Sequence, residues 1–108
     1  MKKSCLLLLF LIALNTQAAS YSDVSKVKGM TIGTTAARVV LESMKSGVES
    51  QCSDQKYYSL DLSNKEMFSS ILMAKASGTK LSFQLNGCAN NRPKISHVYL
   101  CDKKFCGY

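Results

Sequence analysis

Four of the five cysteines, Cys52, Cys88, Cys101 and Cys106, lie in the second, body part of the chain, and they limit what this sequence can fold into more than any other feature. Four Cys allow three pairings. Spacing narrows them. Cys101 and Cys106 enclose only Asp102-Lys103-Lys104-Phe105, a polar loop short enough to be tied off, which leaves Cys52 to close the body of the domain with Cys88. A chain-entropy argument assigns roughly 4 kcal/mol to the long bridge and roughly 2 kcal/mol to the short one, as upper figures. A zinc site is the competing reading, but paired CxxC spacing is missing and the single His97 stands apart from the cysteines. No metal is expected.

Disulfides need an oxidising compartment, and the N-terminus supplies the route to one. Met1-Lys2-Lys3 is a positive start, Leu6 to Leu14 is an apolar core, and Thr16-Gln17-Ala18 offers small residues for cleavage. We read residues 1–18 as a signal peptide, with cleavage after Ala18 or alternatively Ala19. The apolar run is far shorter than the ~20 residues of a membrane-spanning helix, so no span is expected in the mature chain. Cys5 precedes the apolar core, which sets lipidation aside. Residues 19–108 then form one domain with two disulfides, secreted or periplasmic. It carries 12 basic and 7 acidic side chains, the 14 basic residues less Lys2 and Lys3, for a formal charge of +5. An acidic partner fits that charge.

Along the mature chain the apolar pattern changes period twice. Residues 21–30 read as a first strand bent or bulged near Gly29, and residues 37–41 as a second, with Gly47 marking the turn that follows. Tyr57 to Leu62 alternates, with Tyr58, Leu60 and Leu62 on one face and Tyr57, Ser59 and Asp61 on the other. Ser63-Asn64-Lys65-Glu66 matches a capping box, and the apolar positions after it predict a helix from about Asn64 to Ser77, ended by Gly78 in the left-handed conformation. Leu81, Phe83 and Leu85 form a fourth strand, Asn86-Gly87 a turn, and Ile95 to Cys101 a fifth strand. The expected fold is mainly β: a five-stranded Greek-key barrel of the oligonucleotide/oligosaccharide-binding (OB) type, with one helix between strands three and four. A small helix-on-sheet sandwich is the alternative.

The stretch from Phe68 to Gly78, the strand and Cys88 after it, and the ending Val98-Tyr99-Leu100-Cys101-Asp102-Lys103-Lys104-Phe105-Cys106-Gly107 resemble small secreted bacterial proteins related to the B subunit of subtilase cytotoxin. The ending also looks like the C-terminal Cys loop of the typhoid and pertussis toxin binding subunits. The resemblance covers about residues 52–108. It implies the OB-type barrel, a pentameric ring whose helices line a pore, a catalytic A subunit whose tail enters that pore, and outer faces that bind host glycans, often sialylated. Those subunits usually carry two Cys close together in the first half. Here only Cys52 stands there, which again gives it Cys88.

The residues allow the same chemistry. Tyr57, Ser59 and Asp61 share a strand face, where a ring can meet the apolar side of a sugar and oxygens its hydroxyls; a solvated strand face is the ordinary alternative. Tyr99 and His97 lie on one face of the fifth strand near Lys94 and Arg92, a setting for an acidic sugar or for a packed Tyr under a basic loop. On the helix, Phe68, Ile71 and Leu72 are expected to face inward, leaving Ser69, Ser70 and Met73 outside, where they would line a pore in a ring. Catalysis is not expected. His97 has no acid partner at a telling spacing, no G-x-S-x-G elbow presents a Ser, and no Gly-rich phosphate loop implies a cofactor. The aromatic residues do not interleave with Lys and Arg as a nucleic-acid stacking platform would require. The sequence therefore points to a non-enzymatic binding protein, either a toxin-type glycan-binding B subunit or a monomeric periplasmic inhibitor or immunity protein that acts by protein contact.

Overall fold

The computed structural model describes residues 20–45, 47–101 and 106; the proposed leader and the whole loop between Cys101 and Cys106 lie outside the described residues. Among the described residues, six strands and one extended helix follow in the order β1 (Ser20–Tyr21), β2 (Val27–Ile32), β3 (Ala36–Leu41), β4 (Tyr58–Asp61), α1 (Lys65–Ser77), β5 (Leu81–Ala89) and β6 (Arg92–Leu100). They form one mixed sheet, ordered β1-β5-β6-β4-β3-β2. All neighbours are antiparallel except β4 and β6.

The expected first strand is therefore two, at opposite ends of that order. Closure is the reason. Ser25 exchanges backbone hydrogen bonds of 2.9 Å with Leu81 at the start of β5, while the carbonyl of its neighbour Lys26 accepts from Glu42 N–H just beyond β3. Adjacent residues thus tie both ends of the sheet, which curls into the expected OB-type barrel, and the strand breaks where it changes partner. The bulge expected near Gly29 is present as a register shift between Val27 and Gly29.

The Asn86-Gly87 turn is not formed. β5 runs through both residues, and they stand together opposite the single Lys94, because Leu85 pairs with Ile95 and Cys88 with Pro93. This is a bulge, with Gly87 at φ 72°. The chain reverses at Asn90-Asn91, both at positive φ (53° and 64°), as a two-residue type I′ hairpin requires. β6 consequently begins at Arg92, earlier than the Ile95 expected, and Cys101 lies just past its end.

The helix covers the expected span and ends at Gly78 with φ 70°, whose N–H donates to the Ala74 carbonyl. Its start differs. Asp61 Oδ1 accepts the Ser63 N–H at 2.9 Å, so Ser63 belongs to a turn leading into the helix; Asn64 occupies the cap position without a side-chain cap bond, and the capping box is absent. Inward packing differs as well. Ile71 and Ala74 are buried, with Met67 and Phe68 packed against the core, whereas Leu72 is 40% exposed. The helix meets the barrel mainly through β2 and β6, so one stripe is covered, and Leu72, ~100° around from Ile71, falls outside it.

Inward positions of the strands fill the barrel: Val39 and Leu41, Tyr58 and Leu60, Phe83 and Leu85, and Ile95. Tyr58 and Phe83 meet edge to face at 5.8 Å. Burial pushes the Tyr58 phenol above its ordinary value and Asp23 adds to the rise, while the nearby Lys45 backbone offsets part of it. The hydroxyl makes no hydrogen bond of good geometry. A raised tyrosine holds its stabilising effect below pH ~10 and loses it as pH climbs from there toward the folded value. Tyr58→Phe, which removes a buried hydroxyl without a good partner, should leave the urea midpoint at pH 7 unchanged or higher and flatten its decline between pH 9.5 and 11 relative to the parent.

Both expected disulfides are formed. Cys52–Cys88 spans 36 residues and Cys101–Cys106 spans 5.

Candidate functional site

Alternation along the strands sends one set of side chains into the barrel and the other outward. Pairing brings four outward residues into one row across β2, β3, β4 and β6: Thr31 opposite Arg38, Arg38 opposite Ser59, and Ser59 opposite Lys94. Directly paired side chains sit ~5 Å apart at Cβ. Two cations therefore flank one hydroxyl. Ser59 is only 3% exposed and forms the floor between them; its hydroxyl makes no hydrogen bond to a described residue. No carboxylate is in ion-pair contact with Arg38 or Lys94 among the described residues.

Two depressions open on this face. One, of about 210 Å³, is lined by Thr35, Ser59, Asp61, Asn90 and Lys94. The other, of about 260 Å³, lies beside Thr31, Arg38 and Tyr57. The hairpin at Asn90-Asn91 delivers Asn90 to the first, and the bulge opposite Lys94 shapes the same end of the barrel. Asp61 is held below the ordinary carboxylate range by the Ser63 backbone N–H and then by the Ser63 hydroxyl, with a smaller contribution from Lys94. It is an acceptor at neutral pH.

Tyr57 is bracketed by cations. The Arg38 guanidinium carbon lies 5.5 Å from the ring centroid and that of Arg92 6.0 Å. Arg92 is already paired, its Nε 3.0 Å from Asp54 Oδ2. Arg38 is the cation left to meet a ligand, and the Tyr57 ring limits where its fork can point.

Three of the four sugar-site residues expected from sequence, Tyr57, Ser59 and Asp61, thus share one face. Tyr99 does not join them. It lies with Tyr21 and His97 on the outer face of β1, β5 and β6, its ring centroid 6.2 Å from Tyr21 and 6.4 Å from His97. The expectation that Tyr99 and His97 would stand with Lys94 and Arg92 fails because Ser96 is bulged between Gln84–His97 and Leu85–Ile95, which separates the two halves of β6. Arg38, Asn90 and Thr35 were not singled out by sequence reasoning. Arg38 alternates outward on its strand, but only the register across three strands places it beside Ser59.

Of the helix residues expected outside, Ser69 is exposed and Met73 is 53% exposed, while Ser70 is half-buried and donates from Oγ to the Glu66 carbonyl at 2.8 Å. Among the described residues, no group of three or more His, Cys, Asp or Glu could hold a metal ion, and no helix is long and apolar enough to cross a membrane.

No family model and no curated protein sequence matches the chain. Among solved structures, the fold is similar to the crystal structure of a cholera toxin-like B-subunit from Citrobacter freundii, with a TM-score of 0.54 over 87% of this chain and 96% of that one, at 9% sequence identity. The chain shares the fold of that B-subunit. At that identity the likeness concerns the fold.

Proposed function

We propose that the mature chain is a secreted, non-enzymatic binding subunit that assembles as a homopentamer and binds acidic glycans through the face bearing Arg38, Ser59 and Lys94. The observation that carries this reading is the pairing row itself: a floor hydroxyl with no hydrogen-bond partner among the described residues, set between two cations with which no described carboxylate forms an ion pair. The sugar's carboxylate would sit between Arg38 and Lys94 with Ser59 donating to it, and Asp61 and Asn90 would take ring hydroxyls. Tyr57 would hold Arg38 and offer an edge to the sugar. The toxin-subunit fold and the two disulfides support an exported location and an assembled state. In the ring, α1 would present Ser69, Ser70 and Met73 to the pore, where a tail of a catalytic A subunit would enter. Leu72 and Met73, both exposed on the helix, add an apolar strip suited to neighbouring copies.

The test is binding of sialylated lactose against lactose to the oxidised mature protein by calorimetry. Sialyllactose should bind and lactose should not. Arg38→Ala and Lys94→Ala should each weaken binding about tenfold or more, the worth of one charge-assisted contact, with melting temperatures within a few degrees of the parent because both side chains are exposed. Equal binding of the two sugars, or unchanged affinity in the double variant, would refute the assignment.

A further inference from the structure

We infer that Asn86 is a self-modifying site, where the Gly87 amide nitrogen converts the Asn86 side chain to a carboxylate beside Lys94. Four asparagines stand in residues 19–108: Asn64, Asn86, Asn90 and Asn91, followed by Lys65, Gly87, Asn91 and Arg92. Only Asn86 precedes a residue without a Cβ, so only there is the following amide nitrogen uncrowded for contact with the side-chain carbonyl. The fold keeps that contact open. Asn86 is exposed, and the Cα of Gly87 faces open space where a side chain would stand. Both residues lie in the bulge opposite Lys94, where one residue is left outside the strand ladder. The ladder is weak on the next pair as well, since Cys88 stands opposite Pro93, which has no N–H to donate.

The Gly87 nitrogen, after losing its proton to hydroxide, attacks Cγ of Asn86. The new C–N bond closes a cyclic imide, and the side-chain amide leaves as ammonia. Water then opens the ring at either carbonyl and leaves aspartate or isoaspartate at position 86. One water is consumed, one ammonia is released, and nothing is oxidised or reduced. The place of the product gives the step its consequence. Asn86 follows the inward Leu85 and Lys94 precedes the inward Ile95, its pairing partner, so both alternate outward onto one face. The new carboxylate therefore meets the cation that stands opposite Ser59 on the other side, and the face loses one unit of positive charge. Isoaspartate also lengthens the β5 main chain two residues before Cys88, which is bridged to Cys52. Because hydroxide drives the first step, the charge of this face falls with time at a rate set by pH.

The experiment holds the folded, oxidised chain of residues 19–108 at body temperature for weeks, at pH 7 and pH 8. Samples are digested with pepsin in acid, which halts the reaction, and the peptide of each asparagine is read by mass spectrometry. Position 86 should convert about tenfold or more faster than positions 64, 90 and 91, because only its attacking nitrogen is uncrowded, and severalfold faster at pH 8 than at pH 7. Gly87→Asn accepts the left-handed backbone of this position, φ 72°, but adds a Cβ beside the nitrogen; it should slow conversion at 86 about tenfold. The carboxyl of Asn86→Asp, followed by NMR, should titrate below the ordinary aspartate value of about 3.9, and adding Lys94→Met should move it back up. Three results would overturn the proposal: position 86 converts no faster than the other asparagines in the folded chain, Gly87→Asn converts as fast as the parent, or the carboxyl of Asn86→Asp is indifferent to Lys94→Met.

Discussion

Replacing Cys52 and Cys88 together by Ser should lower the melting temperature of residues 19–108 by roughly 15–30 °C. The bridge closes a loop of 36 residues, for which chain entropy gives roughly 4 kcal/mol; in a domain of this size each kcal/mol is worth about 4–8 °C. What it joins makes the consequence specific. Cys52 follows the turn segment after β3, and Cys88 lies in β5 just past the bulge that shapes the candidate site. Without the bridge, the segment between β3 and β4 keeps the Gln55 contacts to the Glu49 and Cys52 carbonyls and the Asp54–Arg92 pair, but it loses its covalent tie to β5. Replacing Cys101 and Cys106 should cost about half as much, since that loop spans 5 residues. Differential scanning calorimetry of the two double variants against the parent checks the order. A larger loss at the short bridge would contradict it.

Phe83→Ala should cost about 3–5 kcal/mol, the range for emptying a buried aromatic position. Phe83 has no exposed surface and packs edge to face against Tyr58, which is equally buried. The two residues come from β5 and β4, which are not sheet neighbours, so this contact crosses the barrel interior. Its loss opens a cavity that strands tied by hydrogen bonds cannot collapse to fill. Phe83→Leu should cost about half as much by refilling part of that volume. Urea denaturation at pH 7 gives both values, and a loss below about 1 kcal/mol for the Ala variant would mean that the barrel interior is not packed around this pair.

Much of this fold was legible because its signals are local. The alternation of Tyr58 to Leu62, the helix between them and Leu81, the C-terminal Gly78 and the cysteine spacing each depend on neighbours within a few residues. What escaped reading depends on distant partners. The N-terminal strand breaks because Ser25 bonds to Leu81 while Lys26 bonds to Glu42, and nothing within residues 20–32 announces a change of partner. Asn86-Gly87 carries a stronger turn signal than Asn90-Asn91, yet Lys94 standing opposite both residues turns it into a bulge. The capping box fails because Asp61, three residues before Asn64, takes the Ser63 amide first.

The candidate site divides along the same line. Tyr57, Ser59 and Asp61 were found together because one strand carries them. Arg38 and Lys94 complete the site from two other strands, and their places follow from register, which the sequence of any one strand does not encode. Strand alternation groups Tyr99 with the basic residues of β6, but the bulge at Ser96 separates them and gives the molecule two outer faces, one basic and one aromatic.

An assembled binding subunit should show itself in the mass of oxidised residues 19–108 in solution. Native mass spectrometry, with light scattering at micromolar concentration, should give five times the mass of the single chain. A clean monomer would contradict the ring, remove the pore assigned to α1, and return the exposed Leu72 and Met73 to the surface of a protein that acts alone.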